Sequence, residues 1–151
     1  MTQSVKQELY RLCQEYVDKR IESSRHAIAE AQESANEETK SSSGDKYETG
    51  RAMAQLEIEK NSQQLAEALK LKSALDQIRI GKAHPSVQPG SLVITDGGVF
   101  FIAISLGVVK LHDDPYMVIA PTSPLGVELM GSRVGDTKVF KGRSYLVHEL
   151  I

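Results

Sequence analysis

Asp45 and Glu48 stand three residues apart in the stretch Ser41-Ser42-Ser43-Gly44-Asp45-Lys46-Tyr47-Glu48. Two carboxylates at that spacing can serve a hard divalent cation. Mg2+ takes oxygen ligands, keeps several waters, and needs only one or two carboxylates beside phosphate oxygens. A second metal at a phosphate lowers the pKa of a water and offsets charge during in-line displacement. From Glu30 to Glu48 the acids are Glu30, Glu33, Glu37, Glu38, Asp45 and Glu48, against Lys40 and Lys46. That is a local charge of −4 in a chain of −2. The pair alone would hold Mg2+ weakly, so other groups must complete such a site. The same Asp-x-x-Glu spacing is also a capping box, in which an N-cap side chain accepts from the N3 amide and the Glu reaches back. The two roles are not exclusive. Lys40, Lys46 and Arg51 could meet nucleic-acid phosphates or simply solvate a helix face. Tyr47 could stack on a base or pack on its own helix.

Long helical segments flank this stretch. From Thr2 to Ala35 there is neither Pro nor Gly. Val5, Leu9, Leu12 and Tyr16 follow a 4-3-4 spacing, and Val17, Ile21, Ser24, Ile28, Ala31 and Ala35 resume it one position over. A stripe this narrow is a coiled-coil seam, with a sideways step between Tyr16 and Val17. The distal seam residues Ser24, Ala27, Ala31 and Ala35 are small and bury little area, so that end is expected to be the less stable one. A second helix is expected over Lys46–Ile78, with Ile58, Leu65, Leu69, Leu75 and Ile78 on its apolar side. Asn61 lies on the same face, either fixing register or solvated beside the seam. Gly50 weakens this helix by roughly 1 kcal/mol relative to Ala. Two helices of about 34 residues, each about 50 Å long, joined by a short polar loop predict an antiparallel hairpin with its tip near residues 36–48.

Gly81, Pro85, Pro89 and Gly90 stop the helix and mark a linker over residues 81–90. Strands are expected at Ser91–Thr95, Val99–Ser105, Tyr116–Ile119, Thr137–Phe140 and Ser144–Glu149. Asp96-Gly97-Gly98 signals a hairpin, and His112-Asp113-Asp114-Pro115 a turn. The expected architecture is α+β: a helical hairpin over 1–80, the linker, and an antiparallel β domain over 91–151. About 65 residues is close to the lower limit for a self-sufficient core, so packing on the hairpin base would help it.

Composition removes several classes. Eighteen Lys plus Arg against twenty Asp plus Glu give no overall push toward nucleic acid or an anionic membrane. Residues 1–82 hold 14 acids and 13 bases, and residues 83–151 hold 6 and 5, so the charge-dense part is the helical one. Cys13 is the single cysteine, which leaves no disulfide framework and no cysteine zinc site. A reducing, cytoplasmic setting is expected. No signal-peptide h-region follows Met1, and the apolar run Gly97–Val109 is too short to span a bilayer. The Gly97-Gly98 pair lacks the context of a phosphate loop. His26, His84, His112 and His148 show no metal-ligand spacing.

The segment Ser123-Pro124-Leu125-Gly126-Val127-Glu128-Leu129-Met130-Gly131-Ser132-Arg133-Val134-Gly135-Asp136 closely resembles the C-terminal signature of the Gre family of transcript cleavage factors, GreA and GreB among them. The ending Tyr145-Leu146-Val147-His148-Glu149-Leu150-Ile151 resembles that family's last strand. The physical content of the signature is turn chemistry, with Pro124 pre-setting its φ and Gly126, Gly131 and Gly135 supplying backbone freedom. Gly44-Asp45-Lys46-Tyr47-Glu48 matches the family's tip pattern at Gly, Asp and Glu, with Thr49 in place of Asn. The resemblance covers the whole layout and implies an FK506-binding-protein-like (FKBP-like) β domain. It implies a monomeric accessory factor of bacterial RNA polymerase, with no membrane partner and no chemistry of its own. Ser123, Pro124, Leu125, Gly126, Gly131, Gly135 and Asp136 would belong to the docking domain at the mouth of the secondary channel. Asp45 and Glu48 would reach the polymerase active site and help hold a shared Mg2+ and a water. The RNA 3′ end would be met only within the elongation complex. Some relatives occupy the channel as inhibitors without stimulating cleavage.

Two other classes are less well supplied. A peptidyl-prolyl isomerase needs an aromatic-lined pocket, and the chain has no Trp and only three phenylalanines, Phe100, Phe101 and Phe140. A coiled-coil adaptor would need the hairpin alone and leave the signature segment without a partner.

Overall fold

The computed structural model describes the backbone of residues 2–40 and 44–151, and their side chains except those of residues 2, 38–40 and 44–47. Two long helices come first, α1 over Thr2–Lys40 and α2 over Gly44–Asp76. Both form where breakers are missing, and α2 stops ahead of the Gly/Pro-bearing segment. Of the tip expected near residues 36–48, residues 36–40 and 44–48 are helical. Helix continues through Lys40 and resumes at Gly44, because Glu37, Glu38 and Lys40 are good helix formers. Ser41, Ser42 and Ser43 lie outside the described residues.

The chain divides into two compact units, one of Met1–Gln14 with Ala74–Ile151 and one of Glu15–Ser73. The parting lies within the helices, not at residues 81–90. In the Glu15–Ser73 unit the helices run antiparallel. Asp18 lies 3.9 Å from Lys72, and Arg20 reaches Gln64 at 3.3 Å and Glu67 at 3.7 Å, so α2 numbers fall as α1 numbers rise. Val17, Ile21 and Ser24 of α1 and Ala54 and Ala68 of α2 are buried. Ile58, Asn61, Leu65 and Leu71 are half-buried. Two seam assignments change. Tyr16 and Leu69 are largely exposed, and their places are taken by Cys13 and Ala68, both fully buried. Cys13 fills the apparent sideways step, because Leu9, Cys13, Val17 and Ile21 recur every four residues. Burial pushes its thiol up to about 12. Asn61 donates to the Glu57 carbonyl at 2.8 Å on its own helix, which is helix back-bonding and not a bond across the seam.

In the other unit, the start of α1 and the end of α2 belong with six strands. These are β1 (Leu92–Thr95), β2 (Gly98–Ile102), β3 (Gly107–Leu111), β4 (Asp114–Ile119), β5 (Thr137–Phe140) and β6 (Arg143–Leu150), in the order β3-β4-β2-β1-β6-β5. All neighbouring pairs are antiparallel except β2 with β4, which is parallel. The sheet is therefore mostly, not wholly, antiparallel. β3 was not expected. It joins β4 through His112 and Asp113, with φ of 52° and 69°, the left-handed pair that a two-residue hairpin loop demands. One face carries the row Leu150, Val93, Phe100, Met117 and Val108. Its inner members pack with Val87, Leu129, Tyr145 and Val147, and Leu125 and Met130 close the edge. Leu92, Phe101 and Val118 on the opposite face are also buried. Burial on both faces is why β2 reads as a near-continuous apolar run.

Residues 81–90 do not form a free tether. Val87 is buried and exchanges backbone bonds of 2.8 Å with Ser132 and Gly131, and Gly90 donates to the Ile102 carbonyl at 2.6 Å. The Ser132 hydroxyl is buried with no hydrogen-bond partner. An orphaned buried hydroxyl costs about 1–3 kcal/mol in desolvation. Ser132→Ala should therefore stabilise the protein by about 1 kcal/mol, read as a higher urea midpoint at unchanged slope. No helix among the described residues is long and apolar enough to cross a membrane.

Candidate functional sites

At the tip, α2 opens at Gly44, so Gly44 is a helical residue and not the turn before the helix. Asp45 and Glu48 occupy its first two turns, and positions three apart share one helix face. An N-cap precedes the helix, whereas Asp45 lies within it. The Asp45–Glu48 capping box expected from the spacing depends on the Asp45 side chain, which lies outside the described residues. Glu48 is exposed. The side chains of Asp45, Lys40, Lys46 and Tyr47 lie outside the described residues. Of the flanking acids, Glu30 pairs with His26 on its own helix at 3.1 Å, and Glu33 and Glu37 are exposed. No three His, Cys, Asp or Glu side chains among the described residues converge as a metal nest. Two helix-borne carboxylates can supply part of a Mg2+ shell, and water or a second molecule must complete it.

The signature segment is more ordered than a loop. Pro124–Leu129 form a short helix, α3. Ser123 is its N-cap: its hydroxyl accepts from the Gly126 amide at 3.1 Å and donates to the Ala120 carbonyl at 2.7 Å. Pro124 takes the first helical position, where its missing N–H costs nothing. Leu125 packs against the core, while Val127 and Glu128 are exposed. Gly126 is needed for space and not for φ: a Cβ there would sit 2.1 Å from the Ala120 carbonyl oxygen. Gly131 and Gly135, at φ 80° and 94°, do use the left-handed region. Asp136 closes the following turn, its carboxylate accepting from the Arg133 amide at 2.8 Å and its own amide donating to the Arg133 carbonyl at 3.0 Å. Each of the seven residues singled out in this segment thus has a fold-building place. The residues left exposed for a partner are Pro124, Val127, Glu128, Gly131, Arg133, Val134, Gly135 and Asp136.

A second cluster did not stand out in the sequence. Lys6 is fully buried, and its ammonium donates to the Lys82 carbonyl at 3.2 Å. Its only sequence signal is its position three residues before Leu9 on the buried stripe. His84 bonds Ser91 Oγ through Nδ1 at 2.6 Å and the Arg79 carbonyl through Nε2 at 2.9 Å. Since a carbonyl only accepts, Nε2 carries the proton. Nδ1 then accepts from Ser91, whose oxygen also accepts from the Gln88 amide at 3.0 Å. The neutral ring satisfies every partner. Burial holds the His84 imidazole below its ordinary value of 6.5, the Arg79 carbonyl opposes this, and the Lys6 ammonium adds to it. In the pH window below 6.5 the unfolded chain therefore binds the proton more readily than the folded one. This stabilisation is complete above pH 6.5 and is lost as pH falls through the folded value. The melting-temperature gap between the protein and His84→Gln should accordingly narrow on acidification from pH 7 to 5.

A comparison with models of known protein families and with curated proteins returned no match. The functional case therefore rests on the residues themselves. His26, His112 and His148 are exposed, and the imidazole of His112 lies 3.9 Å from Glu8.

Proposed function

We propose that this chain is a Gre-like accessory factor of bacterial RNA polymerase. The hairpin enters the secondary channel, and Asp45 and Glu48 help hold a Mg2+ and a water while the polymerase itself cleaves backtracked RNA. The observation that carries the proposal is the placement of two carboxylates on the first two turns of a 33-residue helix in an antiparallel hairpin. Such a helix is about 50 Å long, long and thin enough to bring acids into a channel closed to a globular domain. The Gre-like segment Ser123–Asp136 supports the same proposal. It is held on a capped helix that leaves Pro124 and Val127 exposed, as a docking surface requires. On this view the β-rich unit is FKBP-like in fold, and the protein acts as a cytoplasmic monomer with no cofactor of its own.

The test is binding to purified bacterial RNA polymerase, followed by transcript cleavage on stalled complexes. Binding with faster cleavage is expected. Binding with slowed elongation and no cleavage would assign the inhibitory role instead. No binding would overturn the proposal and favour a coiled-coil adaptor.

A further inference from the structure

The ammonium of Lys6 is fully buried and has three protons to donate, yet among the described residues it donates only to the Lys82 carbonyl. No carboxylate pairs with it among the described residues. Taking a cation out of water costs several kcal/mol unless charge and hydrogen bonds answer it. Lys82 also lines a cavity of about 370 Å³ together with Arg79, Gly81, His84 and Gln88. A neighbouring cavity of about 380 Å³ shares Arg79, His84 and Gln88 and has Ile78, Pro89 and Pro121 among its walls. Neither lining contains an Asp or a Glu. Both cavities thus share the donors of Arg79, His84 and Gln88, to which one adds Lys82 and the other adds Ile78, Pro89 and Pro121. His84, neutral and fixed by Arg79 and Ser91, forms part of the wall they share.

We propose that this pair of cavities binds a phosphate-bearing small molecule. Its phosphates meet the side chains of Arg79, Lys82 and Gln88 near the buried Lys6, and a compact apolar group lies against Ile78, Pro89 and Pro121. Phosphate supplies the missing counter-charge, and guanidinium and ammonium groups are its usual donors. Apolar walls with a few convergent polar groups are the common make-up of small-molecule sites.

The probes are adenosine diphosphate and pyrophosphate, titrated calorimetrically into the full-length protein at low salt. Adenosine diphosphate should bind at or below millimolar concentration and more tightly than pyrophosphate. The double variant Arg79→Gln/Lys82→Gln should weaken it at least tenfold, while Lys110→Gln/Lys138→Gln, the same charge change on the strands, should alter it less than twofold. Lys6→Met should also weaken binding at least tenfold with an unchanged or higher melting temperature. Absence of binding at millimolar adenosine diphosphate overturns the site. So does equal loss in the two double variants, and so does an unaltered affinity in Lys6→Met. Equal affinity for pyrophosphate overturns the apolar half.

Discussion

Gly126→Ala should destabilise the protein by about 3 kcal/mol, although helix propensity alone predicts the opposite. Gly126 is the third residue of α3, and Ala is favoured over Gly within a helix by roughly 1 kcal/mol. Space decides against it. The new Cβ would lie 2.1 Å from the Ala120 carbonyl oxygen and 2.8 Å from Ser123 Oγ. The first of these is backbone and cannot swing aside. The second is tied to both Ala120 and Gly126 by the N-cap bonds. Relieving the clash must open the cap and shift α3 away from the preceding turn. Overpacking typically costs about 1–3 kcal/mol, and a lost Ser cap costs roughly 1 kcal/mol more. Leu129, fully buried at the far end of α3, would move with the helix. Urea unfolding followed by circular dichroism measures the effect. Gly131→Ala is the control, since nothing lies within 4 Å of its Cβ site and only its φ of 80° opposes alanine. It should cost about 1 kcal/mol. If Gly126→Ala is no worse than Gly131→Ala, the close approach at Ala120 does not constrain the fold.

What could be read in the sequence follows from what was local. Both long helices are legible because breakers are absent and the apolar spacing is regular. The β1–β2 hairpin is legible because Asp96-Gly97 is a turn sequence. β3 escapes because its burial does not alternate: Gly107, Val108 and Lys110 are all exposed, and Leu111 is its one buried residue. Its identity comes from pairing with β4, and its turn uses His112 and Asp113 in place of glycine. The parallel pairing of β2 with β4 is nonlocal, and no turn motif announces it. α3 had its signal in Ser123-Pro124, a cap followed by a first-turn proline, but Gly126, Gly131 and Gly135 turned the reading of the segment toward turns. The seam errors share one cause. Cys13 and Ala68 are small and gain the interior by geometry, while the bulkier Tyr16 and Leu69 stay outside. Lys6 was hidden for a related reason, since a cation in an apolar stripe looks like its polar edge.

At the tip the sequence located the two carboxylates. Asp45 and Glu48 both lie within α2, three residues apart, and positions at that spacing share one helix face. That bears directly on the expected result for Asp45→Asn with Glu48→Gln. Polymerase binding should survive and stimulated cleavage should fall by at least about 100-fold. Groups that merely stand behind metal ligands are worth roughly 10–100-fold in affinity or activity, and direct ligands should be worth no less. Amides keep the shape of the acids and one acceptor oxygen each, but not the charge that, on the proposed function, draws a second Mg2+ and offsets the phosphate. Removing negative charge from the first turns of a helix costs only about 0.3–1 kcal/mol per residue, so the hairpin should remain folded and the docking proposed for Ser123–Asp136 should be undisturbed. Cleavage of stalled complexes is measured beside a binding titration of each variant. Raising Mg2+ should partly rescue the single variants, which keep one carboxylate, and not the double variant. Wild-type cleavage by the double variant would remove both side chains from the chemistry. Loss of binding together with cleavage would make them docking residues instead.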